Sequence, residues 1–311
     1  MHILITGASG FLGRNLCAAL EKKKNYKLTK INSQNCDLTK EANLFKYNKI
    51  NFKYIFHLAA WIQGGSFAQE NTSEVWIRNQ KINTNLISWI SKYQKKSKII
   101  TIGSSGSYDP KHKLIEDNYL IGEPHKSLYS YGMTKRMLLI GLKSLNHQYG
   151  NRYINFVPST IYGPNYHTNK RKVQFIYDLI HKILDGKYKQ KKVILWGDGK
   201  QKRELIYIND LIKIILKLHN KIENLTINVS PDKSLNISDY AKIICKELDF
   251  NFKKITYDKS KFVGTKNRSI KNQKLLNYIN DIKFTNVEDG IINTINWYKK
   301  NIYFRKKYNG K

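Results

Sequence analysis

Short apolar runs alternate with longer amphipathic segments over the first 160 residues. The run HILIT at residues 2–6 is typical of a strand buried on both faces, and residues 14–20 repeat their apolar positions at helical spacing. This alternation predicts an α/β fold with a doubly wound parallel sheet. Further strands are predicted over 27–32, 52–58 (a candidate fourth strand), 98–102 and 153–157, and helices over 74–94 and 131–149.

The pattern changes after Pro158. We expect a first domain over residues 1–165 and a smaller lobe over 166–311, with some segments of the lobe returning to the first domain. The lobe is predicted to lie over the crevice of the large sheet, and its last residues, 299–311, to form a frayed surface end. Its predicted helices lie at about 171–186, 209–220, 236–248 and 284–300, and its strands near 192–196 and 226–229.

The glycine-rich segment GASGFLG follows the first predicted strand and opens the first helix. Glycines at these spacings allow a tight turn, close approach of the backbone to a pyrophosphate, and close packing of the helix on the strand. The helix N-terminus adds N–H groups and the positive end of its dipole. The segment therefore predicts a Rossmann dinucleotide site, with contacts from Gly7, Ser9, Gly10, Phe11, Leu12, Gly13 and Arg14.

The second strand, in the stretch KLTKINSQN, carries no acidic residue near its end. Dinucleotide folds that prefer NAD usually place an acid there to bond the ribose 2′-hydroxyl. Arg14, Lys30, Asn32 and Ser33 are instead candidates for facing a 2′-phosphate. The predicted cofactor is therefore NADPH (NADP⁺), with NADH less favoured.

Two further segments are candidate cofactor contacts. Asp37 and Leu38 follow the second strand, and Asp37 suits either an adenine contact or a helix N-cap. Small residues at the end of the strand over 52–58 let a cofactor lie close, which points to Leu58, Ala59 and Ala60. His57 is predicted to be a packed structural residue rather than a catalyst.

Tyr131 and Lys135 lie four residues apart in a predicted helix and so share one face. An ammonium beside a phenol favours the phenolate, so the pKa of Tyr131 is expected to fall toward the working pH. Such a phenol can exchange a proton with a ketone or alcohol oxygen. Because tyrosine and lysine are abundant here, the pair gains meaning only from the glycine turn and from Ser104, which follows the strand over 98–102.

Taken in this order, the glycine turn, the strand-end serine and the Tyr/Lys helix resemble the extended short-chain dehydrogenase/reductase family. The family fingerprint T-G-x-x-G-x-x-G matches residues 6–13. Four further stretches are similar to the GDP-L-fucose synthase family: GSSGSY at 103–108, PSTIYGP at 158–164, WGDGKQKRELIYIND at 196–210 and YDKSKFVGTKNR at 257–268.

The resemblance implies a role for each matching residue. Ser104, with Ser105 as the fallback, would bond the substrate oxygen, Tyr131 would donate the proton, and Lys135 would hold the nicotinamide ribose and lower the tyrosine pKa. Arg203 would read a diphosphate with its two-pronged guanidinium, although a structural ion pair is the alternative. The remaining implied contacts are Asn79 and Pro158 for the cofactor, and Ser105, Gly106, Tyr131, Lys172, Val173, Trp196, Arg203 and Lys261 for the substrate.

The departures from the family concern its epimerase pair, a cysteine and a histidine. Gly106 stands where the cysteine is expected, and Lys172 where the histidine is expected; His167 falls several residues early. We therefore expect NADPH-dependent reduction of the C4 ketone of a GDP-linked 4-keto-6-deoxy sugar, a hexose or a 6-deoxy-heptose, without 3,5-epimerase activity. Related reductases serve capsular polysaccharide synthesis. The alternatives are a bifunctional fucose synthase, a nucleotide-sugar C4-epimerase and a catalytically silent cofactor-binding regulator.

Composition changes this picture little. The net charge of +32 comes mostly from lysines spread along the chain, with no nucleic-acid motif, so we expect a solvated basic surface that attracts anionic ligands rather than a nucleic-acid partner. Three scattered cysteines fit neither a disulfide framework nor a metal site, and a reducing cytoplasm is expected. No apolar run approaches the roughly 20 residues of a membrane span. A homodimer formed through the Tyr131 helix is implied by the resemblance alone.

Overall fold

The structure is a computed structural model that describes residues 1–62, 70–166, 174–261 and 264–300. Its strands are β1 (His2–Thr6), β2 (Lys27–Ile31), β3 (Tyr54–His57), β4 (Lys98–Ile102), β5 (Tyr153–Pro158), β6 (Thr160–Tyr162), β7 (Val193–Trp196), β8 (Lys202–Tyr207), β9 (Leu225–Val229), β10 (Ser234–Asn236), β11 (Ile255–Asp258) and β12 (Asn267–Arg268). Its helices are α1 (Phe11–Glu21), α2 (Thr72–Tyr93), α3 (Tyr129–Tyr149), α4 (Phe175–Lys189), α5 (Ile208–Leu218), α6 (Ile237–Glu247), α7 (Gln273–Leu276) and α8 (Val287–Lys300).

The main sheet, over the described residues, contains six strands in the order β2-β1-β3-β4-β5-β9, and every neighbouring pair is parallel. The predicted doubly wound parallel sheet is confirmed. The expected fourth strand is the third along the chain, because residues 41–47 form a 3₁₀ helix. From β1 the chain builds the sheet in both directions, toward β2 and toward β3. In open α/β sheets the crevice at such a reversal, outside the carboxyl ends of the strands, is where ligands bind.

Helices cover both faces of this sheet. On one face α1 and α5 bury apolar side chains, among them Leu16 and Leu211, against the strands. On the other face α2 and α3 do the same with Trp89 and Leu142. The central strands are consequently apolar on both sides, as HILIT predicted, and the polar groups of the site are left to the strand ends.

The C-terminal part builds a separate core around α4, α6 and α8. The strand β8 organises it: its first half pairs with β10 and β12, and its second half with β6. A two-stranded sheet of β7 and β11 lies beside it. Two later segments join the main sheet, since β9 completes it and α5 packs against α1. Among the described helices, none is long and apolar enough to cross a membrane.

Candidate active site

The glycine turn links the carboxyl end of β1 to the first turn of α1. Gly7 has a φ of +65°, a conformation that favours glycine, and a side-chain carbon there would lie 2.7 Å from the amide nitrogen of Ala59. A side-chain carbon on Gly13 would lie 2.2 Å from the carbonyl oxygen of Gly7. These glycines are therefore required by the packing of the turn against α1 and against the chain that follows β3.

The entrance of α1 is open and carries no acidic side chain. Gly10 caps the helix without a side-chain bond and is exposed, and the first turn contains no acidic residue. Free N–H groups at a helix N-terminus favour an anion. The exposed Arg14 links the turn to the chain that follows β6. Its guanidinium donates to the carbonyl oxygens of Ser9 at 2.5 Å and Asn165 at 2.7 Å. This geometry fits a dinucleotide pyrophosphate, with Phe11 and Leu12 half-buried beside it.

A buried polar chain runs from the glycine turn to the helix that carries Tyr131. The hydroxyl of Thr6 lies 2.8 Å from Nδ1 of His57 and accepts from the amides of Leu58 and Ala59. Nε2 of His57 lies 3.1 Å from Oδ1 of Asn83, whose Nδ2 donates to the carbonyl of Thr134 at 3.1 Å.

These partners assign the tautomer of His57. Asn83 donates through Nδ2 and therefore offers its oxygen to His57, so Nε2 carries the proton and Nδ1 accepts from Thr6. His57 is 1% exposed, and burial lowers its pKa to about 4, so the ring is neutral at physiological pH. Its position fits the predicted structural residue.

The residues after β2 are engaged in local turns. Oδ1 of Asn32 accepts from two amides of the following turn, and Ser33 is exposed. Lys30 donates to the exposed carboxylate of Glu21, so a 2′-phosphate would compete with that carboxylate for it. Asp37 accepts from the amide of Thr39 at 3.0 Å in a local turn, whereas the N-cap of the following 3₁₀ helix is Lys40, and Leu38 is buried.

The serine turn follows β4 directly. The hydroxyl of Ser104 accepts from the amide of Gly106 at 3.0 Å and begins a short 3₁₀ turn over Ser105–Ser107. Its own amide donates to the phenol of Tyr119 at 3.3 Å, a buried residue to which no role was assigned from the sequence. Ser104 is half-buried, whereas Ser105 is buried.

Helix α3 packs on this turn and brings the Tyr/Lys pair to it. A side-chain carbon on Gly132 would lie 3.0 Å from the carbonyl oxygen of Gly106, which shows how closely the two segments approach. The ammonium of Lys135 donates to the carbonyl of Ile102, the last residue of β4, at 2.7 Å. The helix that carries Tyr131 and Lys135 therefore packs on the turn that begins at Ser104, at the carboxyl edge of the sheet.

The protonation of this pair differs from the prediction. Burial raises the pKa of Tyr131 well above its usual range, whereas the sequence predicted a fall caused by Lys135. Burial also lowers the pKa of Lys135, to about 8. The ammonium lies 5.8 Å from the centre of the tyrosine ring and is bonded to Ile102, so desolvation outweighs its attraction for the phenolate.

A side chain at Gly106 would require its neighbours to shift. A side-chain carbon there would lie 2.8 Å from Cδ1 of Leu128 and 3.3 Å from Oγ of Ser104. It would also lie 3.7 Å from Nη1 of Arg268. The position predicted for the epimerase cysteine therefore lies between Ser104, the flexible end of the Leu128 side chain and a guanidinium.

Two arginines stand side by side on adjacent strands. Arg203 of β8 and Arg268 of β12 are partners in the parallel register, so their side chains share a face. Burial and the neighbouring charge of Arg268 lower the pKa of Arg203 to about 10. Arg268 ends the stretch over residues 257–268 that resembles the family, but no local pattern predicted its pairing with Arg203.

Arg203 also lines a cleft between α4 and β7. The Trp196 side chain, 48% exposed, forms part of its wall, with the ammonium of Lys182 lying 5.3 Å from the centre of its ring. Of the predicted substrate contacts among the described residues, Trp196 and Arg203 therefore meet here. The cleft is lined by Phe175, Asp178, Leu179, Lys182, Leu195, Trp196, Gln201, Arg203 and Ile237.

The remaining predicted contacts lie elsewhere. Asn79 is buried and clamps the chain after β3, accepting from the amide of Trp61 and donating to its carbonyl. Lys261 is exposed in the turn after β11 and does not line the cleft of Trp196. Pro158 is buried at the carboxyl end of β5. Lys172 and Val173 lie outside the described residues.

A glycine turn and a Tyr/Lys helix at the carboxyl edge of a parallel sheet form the arrangement of the short-chain dehydrogenases/reductases of the extended type. The chain belongs to the NAD dependent epimerase/dehydratase family, whose model matches residues 3–230. The family predicted from the sequence is confirmed.

Individual relatives agree over almost the whole chain. A GDP-L-colitose synthase from Yersinia pseudotuberculosis is 30% identical, covering 96% of this chain and 98% of the relative. A GDP-L-fucose synthase from Dictyostelium discoideum is 28% identical, covering 98% and 97%. The solved structure of a GDP-mannoheptose C4 reductase from Campylobacter jejuni with NADP bound has a TM-score of 0.83 at 24% identity, covering 96% and 98%.

Proposed function

We propose that this protein uses NADPH to reduce the C4 ketone of a GDP-linked 4-keto-6-deoxy sugar. The observation that carries the proposal is the packing of the helix that carries Tyr131 and Lys135 on the turn that begins at Ser104, at the carboxyl edge of the sheet. The names of the relatives, GDP-L-fucose synthase, GDP-L-colitose synthase and a GDP-mannoheptose C4 reductase with NADP bound, support the GDP-sugar substrate and the cofactor.

The cofactor is assigned to the crevice beside the glycine turn. The N–H groups of the first turn of α1 would hold the pyrophosphate, and Arg14 and Asn32 are the candidates for binding a 2′-phosphate. Bound NADPH supplies the hydride for the sugar C4. In this proposal the cofactor domain spans residues 1–165, and the lobe over 166–311 holds the nucleotide sugar.

The chain itself supplies a proton and a fixed geometry. The phenol of Tyr131 is protonated at neutral pH, because burial holds its pKa high, and it donates to the oxygen at C4. Ser104 bonds the same oxygen from the other side. Lys135 holds the nicotinamide ribose, and its positive charge stabilises the phenolate left after proton transfer. Arg203 and Arg268 bind the diphosphate with charge-assisted hydrogen bonds.

The absence of 3,5-epimerase activity is part of the proposal. Inverting carbons beside a ketone requires groups that remove and return protons at those carbons. Gly106 has no side chain and cannot move a proton, and Lys172 stands where the resemblance places the histidine. A bifunctional epimerase-reductase is the alternative that the second experiment below tests.

The proposal extends to the pathway, the location and the oligomeric state of the protein. A place in surface or capsular polysaccharide synthesis, and a choice between hexose and heptose, follow only from similar proteins. A cytoplasmic location fits the thiols of Cys17, Cys36 and Cys245, which are buried and unpaired. A homodimer through α2 and α3 fits the exposed apolar side chains of Met137 and Ile140 on α3.

Two measurements test the function. The first follows NADPH absorbance with GDP-4-keto-6-deoxy-hexose and with the corresponding heptose. Oxidation of NADPH with at least one of the two sugars supports the reductase, and no oxidation with either sugar contradicts it.

The second measurement runs the reaction in D₂O and locates deuterium in the product by NMR. The proposal predicts none at C3 and C5, and deuterium there would establish the bifunctional enzyme.

A further inference from the structure

The cleft beside Trp196 has the size of a subsite rather than of a whole ligand site. It encloses about 180 Å³, whereas pockets for entire small ligands run to roughly 300–1,000 Å³. Its walls come from α4, from the end of β7 and from Arg203 of β8. It therefore suits one part of a longer molecule whose other parts lie outside it.

A series of neighbouring residues leads from the serine turn to this cleft. Gly106 lies beside both Ser104 and Arg268. Arg268 is the register partner of Arg203, and Arg203 lines the cleft. A nucleotide sugar has the same order of sugar, diphosphate and nucleoside. If the two arginines hold the diphosphate, as the proposed function states, the group that reaches the cleft is the base.

The cleft offers an acceptor and a donor next to each other. Asp178 and Lys182 lie one turn apart on α4, with the carboxylate oxygen 2.9 Å from the ammonium nitrogen. A carboxylate only accepts hydrogen bonds and can take two at once, whereas an ammonium only donates. A ligand edge that carries two neighbouring donors and then an acceptor would match this pair.

Among the common bases, guanine presents that edge. Its N1–H and exocyclic amino group are adjacent donors, and O6 beside them is an acceptor. Uracil places its single N–H between two carbonyl acceptors, and adenine places an acceptor next to its amino group. The half-exposed indole of Trp196 adds a flat surface on which a base can stack. Any base can stack in this way, so the indole does not by itself select guanine.

We propose that Asp178 and Lys182 select guanine, Asp178 by accepting from N1–H and the amino group, and Lys182 by donating to O6. This inference rests on the proposed function, and it deepens that function by naming the residues that distinguish GDP-linked substrates from other nucleotide sugars. The competing explanation is an ordinary ion pair between residues four apart on a helix surface, which would be indifferent to the base.

The test compares GDP with inosine diphosphate, which lacks only the exocyclic amino group. Calorimetric titration of the full chain with NADP⁺ present should give at least about tenfold tighter binding of GDP, as expected for a hydrogen bond to a charged group. In Asp178→Asn the amide no longer accepts from both donors, so the ratio should fall to near one. Lys182→Met should weaken both ligands alike, because both carry O6.

Asp249→Asn is the matched control. Asp249 is fully exposed and pairs with Lys187, which also belongs to α4, so the variant removes a similar carboxylate on the same lobe. It should keep the wild-type ratio. Equal binding of the two ligands by the wild type, or an unchanged ratio in Asp178→Asn, would overturn the inference while oxidation of NADPH with a GDP-keto-sugar would still uphold the reductase.

Discussion

The reacting end and the nucleotide end of the site are built differently. At the reacting end, Lys135 is buried and bonded to the last carbonyl of β4, and Ser104 stands on a turn fixed by its own hydrogen bonds. At the nucleotide end, Trp196 and Asp178 are half open to solvent. In the proposed function, proton transfer would thus take place among buried groups, whereas the nucleotide would be selected on an accessible surface. Changes at the first end should reduce turnover, and changes at the second should reduce affinity.

The largest effect is expected for Tyr131→Phe, which removes the proton donor and leaves the ring. Turnover should fall by roughly 100- to 10,000-fold, the usual contribution of a positioned acid, with little change in NADPH binding. Steady-state kinetics and a fluorescence titration of NADPH measure the two quantities. Tyr129→Phe changes an exposed tyrosine of the same helix and should be silent. A Tyr131→Phe enzyme with near-normal turnover would contradict the assignment of Tyr131 as the proton donor.

The polar chain behind the reacting end predicts a pH-dependent stability. The pKa of His57 is about 4 in the fold and about 6.5 unfolded, so the unfolded chain binds more protons between these values and stability is lost as the pH falls through them. The loss amounts to about 3 kcal/mol between pH 7 and pH 4. Urea unfolding of His57→Gln should show a correspondingly smaller change over this range, and His112→Gln, at an exposed site, should follow the wild type. Parallel profiles for wild type and His57→Gln would refute this explanation.

The nucleotide end should respond in affinity. Arg268→Gln removes a charge-assisted contact with the diphosphate, and we expect KM for the GDP-linked substrate to rise about 10- to 100-fold with a smaller change in kcat. Arg152→Gln, on the surface beside Glu223, is the control for loss of an arginine charge. A fall in kcat with unchanged KM would mean that Arg268 serves the reacting end instead.

The smallest effect near neutral pH concerns the charge on Lys135. Its ammonium is charged below a pKa of about 8 and loses the proton as the pH rises through that value, so kcat/KM should fall about tenfold per unit above it. The ionisation of Tyr131 lies too high to contribute. Lys135→Arg, which stays charged, should lack this decline if it retains activity, and a wild-type profile that stays flat to about pH 10 would contradict the assignment.

Local patterns predicted the parts of the site that depend on sequence neighbours. The glycine turn and the four-residue spacing of Tyr131 and Lys135 are fixed by the backbone of one strand–turn–helix unit and of one helix. Arg268 was missed because its place depends on the pairing of β12 with β8, which no local pattern specifies. The direction of the Tyr131 pKa was wrong because burial, a property of the packed fold, outweighed the nearby charge.

Transfer of the nicotinamide hydrogen to the sugar is the most direct test of the central claim. The protein would be given NADPH carrying deuterium on the transferred position of C4, with a GDP-4-keto-6-deoxy sugar in ordinary water, and the product examined by NMR. The proposed reductase places that deuterium on C4 of the sugar and nowhere else in it. A reduced sugar without deuterium at C4, or with deuterium at another carbon, would contradict the proposal.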